Sequence, residues 1–130
     1  DLLTGDPWEC KAVSLVGNPV SDIMLGFGEG GEMLVSFFMS LPVQDNTVSV
    51  EFDLAGTWTL DGSMVTFEAS DFSMAGAWMN DEPMSDEDSS ALEAGLAEEF
   101  SDYTGQDTIA FISEHALVLE EAETSVSCWR

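Results

Sequence analysis

The residues able to carry redox or metal chemistry are few and lie far apart in the sequence. Two cysteines, Cys10 and Cys128, sit near opposite ends of the 130-residue chain, and His115 is the only histidine. The cysteines do not form a CxxC redox pair, and two cysteines with one histidine make a poor zinc site. We favour a disulfide between Cys10 and Cys128, with two buried free thiols as the alternative. A disulfide predicts an oxidising compartment.

Catalysis is not indicated by the remaining polar residues. A Ser–His–Asp mechanism requires a histidine held in place, and His115 falls in a predicted hairpin turn. The 26 carboxylates contain no pair that the sequence singles out as a glycosidase-type acid and base. The glycine-rich stretch GFGEGG, at 26–31, precedes a strand and contains Glu29, which favours a turn over a phosphate loop. We therefore predict no enzymatic activity, no catalytic residue and no cofactor.

The acidic segment 80–88 is the one stretch that could offer several hard oxygen ligands to calcium. It lacks the spacing and the glycine of an EF-hand loop, so a solvated loop leading into a helix is favoured. No metal site is predicted, and calcium binding by the segment stays open. Its acids are Asp81, Glu82, Asp86, Glu87 and Asp88.

The overall charge excludes several classes of partner. Lys11 and Arg130 are the only basic residues besides the histidine, and the formal net charge is −24. Phosphate backbones and anionic membrane surfaces would be repelled. No apolar run reaches the roughly 20 residues of a spanning helix, so membrane insertion is not expected. The charge is spread along the chain, which favours a solubilising surface and leaves a basic protein partner as the alternative.

The elements expected to position any site are short strands and one helix. The stretch GTWTLDGSMVTF predicts a hairpin with a two-residue Asp61-Gly62 loop, which would pair Trp58 with Val65. Gly56 is expected at a bulge or sharp bend. Segment 85–100 predicts a helix, capped by its first serine and carrying an i, i+4, i+8 apolar stripe.

Seven to nine short strands with one inserted helix near 85–100 predict a mainly β fold. A disulfide between the first and last strands would join the two edges of the sheet, which suits a small antiparallel up-and-down barrel formed by a single domain, residues 1–130. We expect four aromatic side chains to line its interior and to contact any ligand, with the helix over one mouth. These candidate ligand-binding residues are Trp58, Phe52, Phe67 and Phe37.

The C-terminal half resembles small bacterial lipocalin-like domains. The matching positions are Gly56, Trp58, Ile109, Ile112, Ser113, Leu117, Leu119 and Arg130. The resemblance implies an exported, non-enzymatic lipocalin-like barrel, periplasmic or secreted. Because the chain begins at Asp1 without a methionine, we expect an export signal to have been removed. The leading hypothesis is binding of a small apolar or amphipathic ligand. The alternative is an acidic interaction or inhibitor module that captures a basic protein.

Overall fold

A computed structural model describes residues 2–14, 21–121 and 124–130 of the chain. Nine strands and one helix make up this part. The strands are β1 (Trp8–Ser14), β2 (Ser21–Phe27), β3 (Glu32–Val43), β4 (Asn46–Asp61), β5 (Met64–Met79), β6 (Glu82–Pro83), β7 (Thr104–Ile112), β8 (Ala116–Glu121) and β9 (Thr124–Trp129), and the helix is α1 (Asp86–Phe100).

The strands form a closed antiparallel barrel. Each of β1 to β5 pairs with the next along the chain, β7 pairs with β5, and β8 and β9 follow in order. Pairing of β9 with β1 closes the ring, and the two-residue β6 adds only a short extension beside β5. Eight strands therefore make the barrel, within the range of seven to nine that the sequence predicted. The ring is less complete beside β5, which pairs with β7 over residues 64–68 and with β6 only at Trp78 and Met79.

The disulfide lies across the closing pair of strands. Cys10 and Cys128 face each other in the register of β1 and β9 and are bonded, at a sequence separation of 118. Both side chains are buried. The predicted disulfide is confirmed, and it joins the first strand of the barrel to the last.

The β4–β5 hairpin has the predicted strands but a different register. Asp61 pairs with Met64 and Trp58 pairs with Phe67, so the loop is Gly62-Ser63 and our Asp61-Gly62 loop is wrong. Gly62 has φ +62°, which suits a type II′ turn, where only the first loop residue needs a positive φ. The predicted type I′ turn would have required it at both loop residues. A shift of two residues keeps every side chain on its predicted face.

The predicted bulge is present two residues before Trp58. The β4–β5 register shifts between Ala55 and Gly56. A Cβ at Gly56 would collide with the backbone carbonyl of Glu68 on β5, so the close approach of the two strands requires glycine.

Helix α1 begins as the sequence indicates. The hydroxyl of Ser85 accepts a hydrogen bond from the Asp88 amide at 3.2 Å, and three acids occupy the first turn, where the helix dipole favours them. The stripe of Leu92, Leu96 and Phe100 packs against the barrel core. The helix follows β6 and precedes β7, so it bridges the strands β5 and β7.

One end of the barrel is sealed around Arg130. Its guanidinium lies 4.0 Å from the centroid of the Trp8 ring, and the Trp8 indole donates to the Leu3 carbonyl at 3.1 Å. Trp8 and Leu3 are almost fully buried. The guanidinium also donates to five backbone carbonyls, those of Leu2, Leu3, Thr4, Asp6 and Glu114. In the described part of the chain, these contacts pack the barrel end that lies beside Arg130.

Candidate functional site

The barrel encloses an apolar cavity of about 250 Å³ that is partly open to solvent, called the barrel cavity below. Most of its wall is aliphatic or aromatic and comes from inward-facing positions of the strands. The lining residues are Ala12, Ile23, Leu25, Phe27, Met33, Val35, Phe37, Met39, Phe52, Leu54, Val65, Phe67, Phe100, Tyr103, Gly105, Asp107, Leu119, Glu121, Thr124 and Val126.

Three of the four predicted ligand-binding residues are brought together in this wall. Phe37 and Phe52 stack with their ring centroids 5.0 Å apart, and Phe67 also lines the cavity. Trp58 lies outside the lining. Its ring packs edge-on against Phe27 at 5.3 Å, and its indole donates to the Gly28 carbonyl at 3.0 Å. That hydrogen bond directs Trp58 toward the β2–β3 turn and away from the cavity. Contact of these side chains with a ligand stays a prediction.

Phe100, the last residue of helix α1, and Tyr103 in the segment after it line the cavity at the end of the barrel away from Arg130, called the mouth below. Phe100 stacks on Phe52 at 5.4 Å and meets Tyr103 edge-on at 5.8 Å. The Tyr103 ring lies over Gly105, where an added Cβ would come within 2.9 Å of the phenol oxygen. Aromatic surface thus covers part of the open end.

Two carboxyl groups, Asp107 on β7 and Glu121 on β8, line the same cavity near its mouth. Because Thr108 pairs with Glu120, Asp107 and Glu121 are the next residues along the two strands and share the inward face. The Oδ1 atom of Asp107 is buried, and no donor in the described part of the chain reaches it.

The environment of this acid pair favours a proton. Burial, followed by the neighbouring Glu121 carboxyl, raises the pKa of Asp107 from 3.8 to about 7. When Asp107 is protonated, its carboxyl hydroxyl can donate a hydrogen bond to the Glu121 carboxylate. The repulsion between the two side chains is then relieved. Burial also raises the pKa of the Tyr103 phenol, with further contributions from Glu121 and Asp107. Tyr103 is therefore a neutral phenol at physiological pH.

No basic side chain compensates the acid pair. Lys11 forms a salt bridge with Asp22 at 3.4 Å, and both side chains are largely exposed to solvent. Arg130 occupies the sealed end of the barrel, and the exposed His115 lies in the β7–β8 turn with Nδ1 3.1 Å from the Arg130 carbonyl oxygen. The sequence contains no other basic residue.

The sequence analysis missed Asp107 and Glu121, although the alternation of the strands marks both. Asp107 lies two residues before Ile109, and Glu121 lies two residues after the buried Leu119. An acid that shares the face of core residues is exceptional in a half-buried strand. These two acids were hard to recognise among the 26 carboxylates, because they differ from the others only in sharing a strand face with apolar core residues.

The described residues 2–14, 21–121 and 124–130 contain no group of three or more histidine, cysteine, aspartate or glutamate side chains arranged to hold a metal ion. The acidic segment 80–88 contains a turn at Asn80-Asp81, strand β6 and the start of α1, and calcium binding there stays open. In the same part of the chain, no helix combines the length and the apolar character that crossing a membrane would require.

Comparison with known proteins identifies the fold. No protein-family model matches this sequence, and no curated protein does. A lipocalin-like protein from Bacteroides uniformis ATCC 8492 superimposes with a TM-score of 0.58 at 13% identity, covering 100% of this chain and 99% of that one. An uncharacterised protein from Bacteroides eggerthii DSM 20697 gives 0.57 at 13% identity, covering 98% of each chain. The chain therefore has the lipocalin-like fold, a closed antiparallel eight-stranded barrel with a single helix.

Proposed function

We propose that this protein is an exported, non-enzymatic binding protein whose barrel cavity holds a small apolar or amphipathic ligand. The observation that carries the proposal is the cavity itself: about 250 Å³ of space walled almost entirely by apolar side chains and partly open at one end. Barrels of about eight strands either fill with side chains or hold one small ligand. The unfilled volume favours the second.

The size of the cavity limits the ligand. Pockets for drug-sized molecules occupy about 300–1,000 Å³, so the expected occupant is smaller. Unfilled core volume weakens a protein by roughly 24 cal/mol per Å³, so filling this space offers on the order of 5 kcal/mol before the cost of association. That amount is sufficient for micromolar binding only if polar contacts add to it.

Export is supported by the disulfide. A bond between Cys10 and Cys128 is expected to persist in a periplasmic or extracellular environment and not in a reducing cytosol. The barrel would then meet its ligand outside the cytoplasm, where a small carrier or sensor is useful.

Binding can be tested with the neutral fluorescent probe N-phenyl-1-naphthylamine. Val126 lines the cavity and is half-buried, so Val126→Phe should occupy the space and weaken probe binding at least tenfold. Val43 on β3 is 49% exposed, so the matched control Val43→Phe should leave binding unchanged. Near-ultraviolet circular dichroism would verify folding of both variants, with Ala12→Leu as a second cavity-filling change. Equal binding to all variants, or no binding, would refute the proposal.

A second candidate function, capture of a basic protein, is favoured by the outer surface of the barrel. Phe38 and Trp129, 41% and 44% exposed, line one surface groove that also contains three acids and Lys11, which is ion-paired with one of them, and the Trp129 indole donates to Glu9 at 3.1 Å. An apolar strip rimmed by carboxylates is suited to a cationic surface with exposed aliphatic side chains. The test is binding of a Leu- and Lys-rich amphipathic peptide. Phe38→Ser should weaken it, whereas the matched Phe111→Ser, on β7 at 55% exposure, should not.

A further inference from the structure

We propose that the barrel cavity selects a ligand with an ammonium head group, which Asp107 and Glu121 hold at the mouth while an apolar tail fills the interior. This inference rests on the proposed function and adds the chemical class of the ligand. The shared chemistry is a primary or substituted amine, protonated at neutral pH, attached to a short hydrocarbon or aromatic portion.

The first argument is the position of the two acids. They lie on the inward face in one row across the sheet, where Val65 of β5 pairs with Asp107 and Thr124 of β9 pairs with Glu121. All four side chains line the same cavity. On the side of this row away from the mouth, Leu119 and Val126 are among the apolar residues of the wall, whereas Phe67, which pairs with Gly105, lies on the mouth side. The site therefore has acidic side chains in one row and apolar side chains in the adjoining wall, which matches a ligand with a cationic head group and an apolar tail.

The second argument is the missing positive charge. Buried or half-buried acids are normally paired, because an isolated charge is costly in a medium of low dielectric constant. Here the argument applies to the half-buried Asp107, whose Oδ1 is buried without a donor in the described part of the chain; its neighbour Glu121 is exposed, and Lys11 and Arg130 are engaged elsewhere. An ammonium group would donate hydrogen bonds to these oxygens and neutralise the pair. A fatty-acid carboxylate would add a third negative group at the same place.

The third argument is the aromatic surface beside the acids. Phe100 and Tyr103 meet edge-on at the mouth, and both line the cavity. Aromatic faces attract cations by about 0.5–2 kcal/mol, most strongly when water is excluded. The Tyr103 phenol can also accept a hydrogen bond from an ammonium group. Two carboxyls and aromatic rings around one opening form a recognisable environment for a cation.

The groups that face Asp107 predict how the affinity depends on pH. They are Glu121 on β8, Tyr103 ahead of β7 and the uncharged Thr124 on β9, while α1 contributes only Phe100 and β5 only apolar side chains to the cavity wall. Since the pKa of Asp107 is raised to about 7, the empty site holds a proton at pH 6. An ammonium ligand must displace this proton, so its affinity should rise from pH 6 to pH 8 with proton release.

The experiment compares three probes with the same eight-carbon chain: octylamine, 1-octanol and octanoate, titrated calorimetrically at pH 8 and 0.15 M salt. We expect octylammonium to bind at least tenfold more tightly than octanol, and octanoate more weakly than octanol. Asp107→Asn and Glu121→Gln should each reduce octylammonium affinity at least fivefold and change octanol affinity less than twofold. The matched controls are Asp71→Asn on β5 and Glu120→Gln on β8, both at exposed positions.

The outcomes separate this inference from the proposed function. If octanol binds and Val126→Phe abolishes its binding, but octylammonium shows no preference, the head-group inference fails and the proposed function stands. If the exposed control variants weaken octylammonium as much as the cavity variants do, attraction to the overall charge explains the preference and the inference also fails. Absence of binding by all three probes and by N-phenyl-1-naphthylamine overturns both. Should a variant fold poorly, proton release by the unmodified protein at pH 6, where Asp107 is protonated, decides the question when it is measured in two buffers of different ionisation enthalpy.

Discussion

Replacing Asp107 with asparagine should stabilise the protein at high pH and not at low pH. The folded-state pKa of Asp107, about 7, lies above its ordinary value of 3.8, so the folded state binds this proton more tightly than the unfolded state does. The stability that this proton contributes is fully present below the unfolded-state pKa of 3.8 and is lost as the pH rises through 7. Asparagine resembles the protonated acid in size and carries no charge. The free energy of unfolding of Asp107→Asn should therefore not decrease through this ionisation as the pH rises, whereas that of the unmodified protein should.

The magnitude follows from the displacement of the pKa. Moving the pKa from 3.8 to about 7 corresponds to a ceiling of about 4 kcal/mol at 1.36 kcal/mol per pKa unit. Asp107 is only partly buried and shares its proton with Glu121, so solvent screening lowers the expected effect to about 1–2 kcal/mol. We expect Asp107→Asn to exceed the unmodified protein by this amount at pH 8 and to match it near pH 4.

The assay is urea unfolding at several pH values between 4 and 8, at constant ionic strength and with the disulfide intact, analysed by linear extrapolation. The other carboxylates are common to both proteins, so their effect cancels in the difference. Asp71→Asn, at an exposed position of β5, controls for the loss of one negative charge. A difference that is independent of pH, or one that the exposed control reproduces, would refute the argument.

Three further changes test the framework of the barrel. Loss of the disulfide in the Cys10→Ser, Cys128→Ser double variant should lower the free energy of unfolding by about 4–5 kcal/mol, because the bond closes a loop of more than 100 residues; urea unfolding measures this. Arg130→Lys keeps the positive charge but removes the guanidinium that donates to five backbone carbonyls. It should lower the free energy of unfolding by about 2 kcal/mol, which a reduced Tm would show. Gly56→Ala forces a Cβ against the Glu68 carbonyl and should cost about 3 kcal/mol or prevent soluble expression, whereas the open position Gly95 tolerates alanine.

The architecture could be predicted from the sequence because it depends on local patterns and on the positions of a few particular residues. Alternation gave the strands, the capping serine and acids gave the start of α1, and cysteines on the first and last strands gave the closure. The turn residues were less decisive. Asp-Gly suited one hairpin loop and Gly-Ser another, and only the pairing of Asp61 with Met64 distinguishes them.

The cavity wall was only partly predicted. Alternation shows which side chains face inward, but it does not show how far along the barrel axis each one lies. Phe37, Phe52 and Phe67 share that face and line the cavity. Trp58 has the same alternation, yet it lies near the β2–β3 turn, where its indole bonds to Gly28. Its depth along the axis depends on how far β4 extends beyond its neighbour β3, which is a property of the assembled sheet. The same limit applies to Arg130, whose partner ring proved to be that of Trp8.

The acid pair shows how a strongly charged sequence can conceal a polar site. For most of the 26 acids, exposure to water is sufficient to explain a carboxylate. Asp107 and Glu121 differ because the two-residue period of β7 and β8 turns them toward a cavity whose other walls are apolar. A neutral residue at either position would remove a destabilising repulsion, so their presence weakens the empty barrel. On the proposal above, a positively charged ligand that enters the apolar cavity would compensate these two carboxyl groups.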